Sequence, residues 1–176
     1  MNGLAPRNFC WIISGRLAVS ERPGGYGITH RRVRREEEVS WLRAQGFTRV
    51  LSLLPGTHNL KAYEGAGMAA EQMILRLAAP EPVFEAIHRA LAVPAVRVLV
   101  HGDDLGDEVA GVVAGYLVHA GLLKNAPSAV AIIEELTRRP LGPRGCALVP
   151  AAPPQPGPRP VVVHGGSECA SRAGPI

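Results

Sequence analysis

The sequence is poor in aromatic residues, in lysine and in cysteine, and each shortage excludes a class of protein. Aromatic residues make up 5% of the chain, so a packed interior has to consist mainly of Leu, Val, Ile and Ala. Lys61 and Lys124 are the only lysines among 19 basic residues, and the net charge is a modest +4, which argues against a nucleic-acid-binding role. The three cysteines lie far apart and without metal-ligand spacing, which excludes a disulfide framework and a zinc motif.

Long apolar runs are missing as well. No stretch reaches the ~20 apolar residues that span a bilayer. The N-terminus does not have the pattern of a signal peptide, which is a basic start followed by an apolar segment. The 176 residues and the hydrophobic content of 47% suit one folded domain. We therefore expect a cytoplasmic protein without membrane contact, and no motif predicts a cofactor.

Short apolar strands alternate with helices along the first 140 residues. The predicted strands lie in Phe9–Ser20 (two short strands), Phe47–Gly56, Ala70–Pro80 and Val96–Gly102. The predicted helices are Arg34–Gly46, Pro82–Ala92, Asp107–Leu123 and Ala126–Pro140. This alternation predicts an α/β fold with a mostly parallel central sheet and helices on both of its faces.

The chain changes character after residue 140. Proline and glycine become frequent, and Pro150–Pro160 is a polyproline-type stretch that cannot form a packed core. The sequence thus predicts a domain over residues 1–140 and an extended or disordered tail over 141–176. Val161–Gly166 is compatible with one additional edge strand.

One junction between a strand and a helix, Arg97–Gly111, carries an unusual concentration of acid groups. The free N–H groups and the dipole of a helix N-terminus favour an anion there. The loop and helix start within it, residues 102–108, instead supply four carboxylates and no cation: Asp103, Asp104, Asp107 and Glu108.

Three segments carry a resemblance to a known family: Asn8–Pro23 (NFCWIISGRLAVSERP), Gly46–Gly56 (GFTRVLSLLPG) and Val98–Val118. They resemble the protein tyrosine phosphatase superfamily, and most of all its small, atypical dual-specificity phosphatases. The resemblance covers about residues 8 to 140. It implies a phosphatase-like α/β fold with a mixed, mostly parallel central sheet flanked by helices on both faces.

The catalytic loop of this family has the pattern HCxxGxxR, in which a thiolate attacks phosphorus and an Arg clamps the phosphate. The resemblance places Gly102 at the Cys, Leu105 at the Gly, Glu108 at the Arg, and Val109 at the Ser/Thr that follows. The general-acid Asp falls near Ala79. The corresponding loop of this chain therefore comprises His101, Gly102, Asp103, Asp104, Leu105, Gly106, Asp107 and Glu108.

The resemblance therefore implies a degenerate site with no intact catalytic residue. The carboxylate nearest to the lost acid position is that of Glu81. We expect a pseudophosphatase that binds a protein partner or a ligand. The alternatives are a hydrolase with relocated carboxylate- or metal-assisted chemistry, and residual protein phosphatase activity.

Two interpretations of the four carboxylates remain. In the first, they satisfy the free N–H groups of the helix, with Asp104 and Asp107 forming a capping box, and so fill the anion pocket themselves. In the second, they bind a hard cation such as magnesium or calcium, although the helix dipole opposes it. The residues concerned are Asp103, Asp104, Asp107 and Glu108.

Binding residues are expected at the end of the sheet where open α/β folds bind ligands. The candidates are His58, Asn59, His101, Asp104 and Glu108, with His101 also a candidate to order the loop through a hydrogen bond. A second candidate surface consists of the basic residues Arg31, Arg32, Arg34 and Arg35. These arginines either pair with the glutamates that follow them or dock an acidic protein partner.

Overall fold

A five-stranded mixed sheet forms the centre of the computed structural model, which describes residues 3–154. The strands are β1 (Cys10–Ile13), β2 (Leu17–Ser20), β3 (Arg49–Ser52), β4 (Ala69–Gln72) and β5 (Val98–His101). Their order is β1-β2-β5-β3-β4. Only β1 runs antiparallel to its neighbour, so the predicted mixed, mostly parallel sheet is confirmed.

Strand β5 lies in the middle of the sheet and is buried along its whole length. Its apolar sequence fits that position, because a parallel strand covered on both faces has no solvent side. His101 at its end is level with Ser20 of β2 and Ser52 of β3. The loops that follow these three strands therefore start at one edge of the sheet, which is where open α/β folds bind ligands.

Residues 3–154 form six α-helices: α1 (Arg32–Ala44), α2 (Leu60–Gly65), α3 (Glu81–Leu91), α4 (Asp107–His119), α5 (Ala126–Thr137) and α6 (Pro143–Cys146). Leu42 of α1 and Tyr63 of α2 belong to one buried cluster. Phe84 of α3, Val113 of α4 and Ile133 of α5 belong to the other. The prediction of helices on both faces is therefore confirmed.

Helix α4 is the central helix because it is buried on almost every side, from Val109 to Val118. Close packing with α6 requires small residues on both helices. A Cβ atom on Gly111 would lie 2.5 Å from the carbonyl oxygen of Gly145, a separation that no side chain tolerates. Glycine at both positions allows α6 to pack directly against the first turns of α4.

Several predicted elements are shorter in the structure, and two short helices, α2 and α6, are unpredicted. The strand expected to run to Pro80 ends at Gln72, because β3, the only neighbour of β4 within residues 3–154, ends at Ser52. Helix α4 ends at His119 rather than Leu123, since Gly121 adopts a left-handed conformation with φ of 70°. The six residues of α2 are too few to produce a helical pattern in the sequence.

The domain extends past the predicted boundary at residue 140. Leu141, Leu148 and Val149 are buried in the same cluster as α4. These apolar side chains lie among prolines and glycines. The composition of the segment therefore predicted a tail and did not indicate that single residues in it are buried. The remainder of the predicted tail, from residue 155 and including Val161–Gly166, lies outside the described residues.

No helix within residues 3–154 has the length and hydrophobicity needed to cross a bilayer.

Candidate functional site

An open cleft of about 400 Å³ lies at the sheet edge where β3 and β5 end. We call it the acidic cleft. Its walls are Leu53–Pro55 after β3, and Gly102–Asp104 with Gly106–Val109 after β5. One cation also lines it, Arg144 of α6. Four carboxylates thus face one guanidinium group around this cavity.

Two of the four carboxylates, Asp107 and Glu108, lie in the first turn of α4 and are held by residues in or next to α6. The Oδ1 atom of Asp107 accepts a hydrogen bond from the backbone N–H of Gly142 at 2.9 Å. A methyl group on Gly142 would overlap the Asp107 carboxylate. Glu108 forms an ion pair with Nη2 of Arg144, and both side chains are about half exposed or more. Both acids are therefore oriented by residues of the segment that was predicted to be an extended tail.

The other two carboxylates lie in the turn before α4 and are exposed. Asp103 lies 3.5 Å from Nη1 of Arg22, and its carbonyl oxygen accepts a hydrogen bond from the N–H of Arg22. Asp104 has no hydrogen-bond or ion-pair partner for its carboxylate within residues 3–154. It remains free to interact with a molecule in the cleft.

The predicted capping box is wrong. The N-cap residue of α4 is Gly106, and no side chain caps the helix. The carboxylates do not fill the anion pocket either, because three of the four are held by groups outside the loop and the cleft stays open. Within residues 3–154, no group of three or more His, Cys, Asp or Glu side chains is arranged so that it could hold a metal ion.

Gly102 forms the base of the cleft, directly after β5. A Cβ atom at this position would lie 2.8 Å from Cγ2 of Val109 and 3.3 Å from the carbonyl oxygen of Asp104. The side chain of Val109 therefore occupies the space that a side chain on residue 102 would need.

His101 is fully buried beneath the cleft and does not line it. Its Nδ1 atom lies 3.1 Å from the carbonyl oxygen of Gly102, and its Nε2 atom lies 3.0 Å from Oη of Tyr63. Because a carbonyl oxygen only accepts, Nδ1 carries the proton and Nε2 accepts from the Tyr63 hydroxyl. Burial lowers the pKa of His101 to about 4 and raises the pKa of Tyr63, so both groups stay neutral at neutral pH. The geometry fits the predicted loop-ordering hydrogen bond.

The other predicted binding residues lie elsewhere. Asn59 is buried and donates a hydrogen bond of 2.7 Å to the carbonyl oxygen of Pro23. His58 is exposed beside Gly56. Neither Asn59 nor His58 lines the acidic cleft, so the structure does not bring them together with Asp104 and Glu108.

The position that the resemblance assigns to the general acid is also away from the cleft. Ala79 is exposed in the segment before α3, and Glu81 is the first residue of that helix. Neither residue lines the acidic cleft.

The four arginines predicted as one surface occupy different environments. Arg32 is exposed and pairs with Glu36, and Arg31 donates to nearby backbone carbonyl oxygens. Arg34 points inward and forms an ion pair with the fully buried Glu38. Arg35 is partly buried. Only Arg31 and Arg32 are exposed.

Sequence reasoning missed three arginines that support the loop. Arg22 reaches Asp103, Arg144 reaches Glu108, and Arg139 donates to the carbonyl oxygen of Leu105. Each lies far from the loop in the sequence, and no local pattern marks it.

Comparison with known proteins rests on the structure alone, since neither a protein-family model nor a curated protein matches the chain. The kinase-associated phosphatase, solved with its catalytic-site cysteine changed to serine, superimposes with a TM-score of 0.63. The match covers 81% of this chain and 91% of that protein at 15% identity. Human DUSP28 matches with a TM-score of 0.58 over 81% of this chain and 92% of its own, at 17% identity.

This chain has the fold of the dual-specificity and protein tyrosine phosphatases. TpbA of P. aeruginosa also matches, with a TM-score of 0.55, 16% identity, and coverage of 74% of this chain and 72% of its own. The expected phosphatase-like fold is thereby confirmed. Identities this low establish the fold and leave the chemistry to be argued from the site.

Proposed function

We propose that this phosphatase-like chain is a pseudophosphatase, which keeps the fold, does not hydrolyse phosphate esters, and acts by binding a protein partner or ligand. The single observation that supports this most is the base of the acidic cleft. Gly102 stands there without a side chain, in a cleft that four carboxylates also line.

Electrostatics favours the proposal. Losing a bidentate Arg contact weakens phosphate binding by ~1.5–3 kcal/mol. A carboxylate ~4 Å from a phosphate charge adds ~4 kcal/mol of repulsion at an effective dielectric constant near 20. Among the described residues, Arg144 is the only cation lining the cleft, and it already pairs with Glu108. We therefore expect an occupant of this cleft to be neutral or cationic.

The cysteines give a second line of support. The kinase-associated phosphatase has a cysteine at its catalytic site. In this chain, neither Cys10 nor Cys146 lines the acidic cleft. Burial raises the pKa of Cys10, which disfavours the reactive thiolate. Cys169 lies outside the described residues.

Hydrolysis of an aryl phosphate such as p-nitrophenyl phosphate between pH 5 and 8 tests the proposal. We expect turnover no faster than the buffer blank and no effect of vanadate. Vanadate-sensitive turnover would contradict the proposal and indicate residual phosphatase activity. Adding magnesium and comparing the natural chain with Asp104→Asn separates the other alternative: magnesium-dependent turnover lost in that variant would support relocated carboxylate chemistry.

A further inference from the structure

A second pocket of about 570 Å³ lies between α1 and the segment that follows β3. We call it the arginine pocket. The polar residues lining it are Arg35, Thr57, Asn59, Lys61 and Glu64. Its size is in the range of small-molecule sites, and it is separate from the acidic cleft, with which it shares no lining residue.

Arg35 is the unusual group in this pocket. Its neighbours Arg22 and Arg34 each have a carboxylate within 4 Å, Asp103 and Glu38 respectively. The guanidinium of Arg35 has no hydrogen bond and no ion pair within residues 3–154, and its Nε atom is fully buried without an acceptor. A half-buried cation without a counter-charge is unfavourable. An anionic ligand in the pocket would supply the counter-charge that the protein does not.

The position of Arg35 is fixed by the loop that follows β2. A Cβ atom on Gly24 would lie 2.7 Å from Cβ of Arg35, so the backbone of the loop packs directly against the start of this side chain. The N–H of Gly24 donates a hydrogen bond of 2.6 Å to the buried Glu38, which holds the loop in place. The guanidinium is therefore attached to a constrained stem.

The surroundings of the pocket carry excess positive charge. Burial is the main cause of the lowered pKa of His30, and the positive charges of Arg22 and Arg35 lower this pKa further. Lys61 adds a second cation at the pocket wall. Glu64 opposes them. Because Lys61 and Glu64 are both exposed, solvent screens both charges, which leaves the partly buried Arg35 as the main charge of the pocket.

We propose that the arginine pocket binds a phosphate group, either free or as a monoester on a small molecule. Arg35 supplies the planar donors that match two phosphate oxygens, Lys61 supplies a point charge, and the hydroxyl of Thr57 supplies a hydrogen bond. The proposal does not depend on the loss of catalysis, because none of these residues lines the acidic cleft.

Backbone amide NMR of the full chain titrated with inorganic phosphate, and separately with phenyl phosphate, tests the site. We expect saturable shifts at Thr57–Lys61 and weaker or no shifts at residues 102–108. Tighter binding of phenyl phosphate would identify a monoester as the preferred form, and tighter binding of inorganic phosphate the free ion. Arg35→Gln should weaken binding about tenfold or more, and Arg35→Lys by less.

The matched control is Arg89→Gln, which removes one exposed cation from α3 on the other face of the sheet. It should leave phosphate affinity within about twofold, which excludes a general effect of net charge. Equal losses in both arginine variants, or saturable shifts confined to residues 102–108, would overturn the proposal. Because Arg35→Gln could alter the fold, its amide spectrum away from the pocket must match that of the natural chain, and Lys61→Gln at the exposed wall gives an independent loss of binding.

Discussion

The acidic cleft and the arginine pocket differ in the sign of the charge that lines them. Both use the segment that follows β3, but the cleft adds four carboxylates from around the start of α4, and the pocket adds Arg35 from α1. In the cleft, three acids have basic or N–H partners. In the pocket, the guanidinium has none within the described residues. A phosphatase-like framework thus sets where a ligand can bind, and a few side chains decide which charge it carries.

The buried ion pair beneath the arginine pocket is the most sensitive place to break this comparison. Glu38→Ala leaves Arg34 partly buried without its counter-charge and the N–H of Gly24 without its acceptor. We expect a loss of about 3–5 kcal/mol in the free energy of unfolding, measured by urea denaturation. Glu37→Ala, the exposed neighbour on the same helix, should change it by about 0.5 kcal/mol or less. Similar effects of the two substitutions would mean that the buried pair does not support the pocket.

The hydrogen bonds of His101 beneath the acidic cleft predict a pH dependence. Burial lowers its pKa to about 4, below the ordinary value of 6.5 in the unfolded chain. As pH falls, the unfolded state therefore takes up the proton first. The contribution of neutral, buried His101 to the free energy of unfolding is present above pH ~6.5 and is lost between pH ~6.5 and ~4. We expect His101 to account for about 2–3 kcal/mol of the loss between pH 7 and pH 4.5.

Urea unfolding of the natural chain and of His101→Asn at several pH values measures this contribution as a difference of slopes. The lowered pKa of His30 acts in the same direction in both proteins and cancels. An NMR titration of the natural chain that placed the pKa of His101 near 6.5 would contradict the account.

The space at Gly102 gives a further test of the proposal that the cleft has no nucleophile. Gly102→Cys should destabilise the protein by about 1–3 kcal/mol, because the new Cβ atom would lie 2.8 Å from Cγ2 of Val109. Combining it with Val109→Ala should recover part of that loss, which a double-mutant cycle measures. Purely additive effects would show that the two positions do not compete for space.

The smallest expected effect concerns the rim of the acidic cleft. Arg144→Gln removes an ion pair with Glu108 in which both side chains are exposed to solvent. Such ion pairs contribute little to the free energy of unfolding. We expect a change in unfolding free energy below about 1 kcal/mol by urea denaturation. A larger loss would indicate that the pair, rather than the buried contacts of Leu141 and Leu148, fixes the segment 141–149 on the domain.

The fold was predictable because its signals are local. The continuous apolar run of β5 and the long apolar pattern of α4 require no knowledge of distant contacts. Elements whose limits depend on a neighbour were predicted less well: β4 stops where β3 stops. The buried residues after Pro140 were missed because composition averages over a segment and does not show single apolar side chains.

The site was predictable in its residue types and not in its contacts. The four carboxylates follow from the sequence at once, but their partners Arg22, Gly142 and Arg144 come from segments that only the folded chain brings near. The interpretation as caps used sequence spacing, whereas the structure puts Gly106 at the helix start. The arginine pocket was missed for a related reason, since a run of charged residues does not show that Arg34 is paired and Arg35 is not.

Crystals of the full chain soaked in vanadate, an oxyanion that mimics phosphate, test the contrast between the two regions most directly. The account predicts vanadate density in the arginine pocket beside Arg35 and none at the base of the acidic cleft. Vanadate bound to the backbone N–H groups of residues 102–108, with the carboxylates turned away from it, would contradict the account.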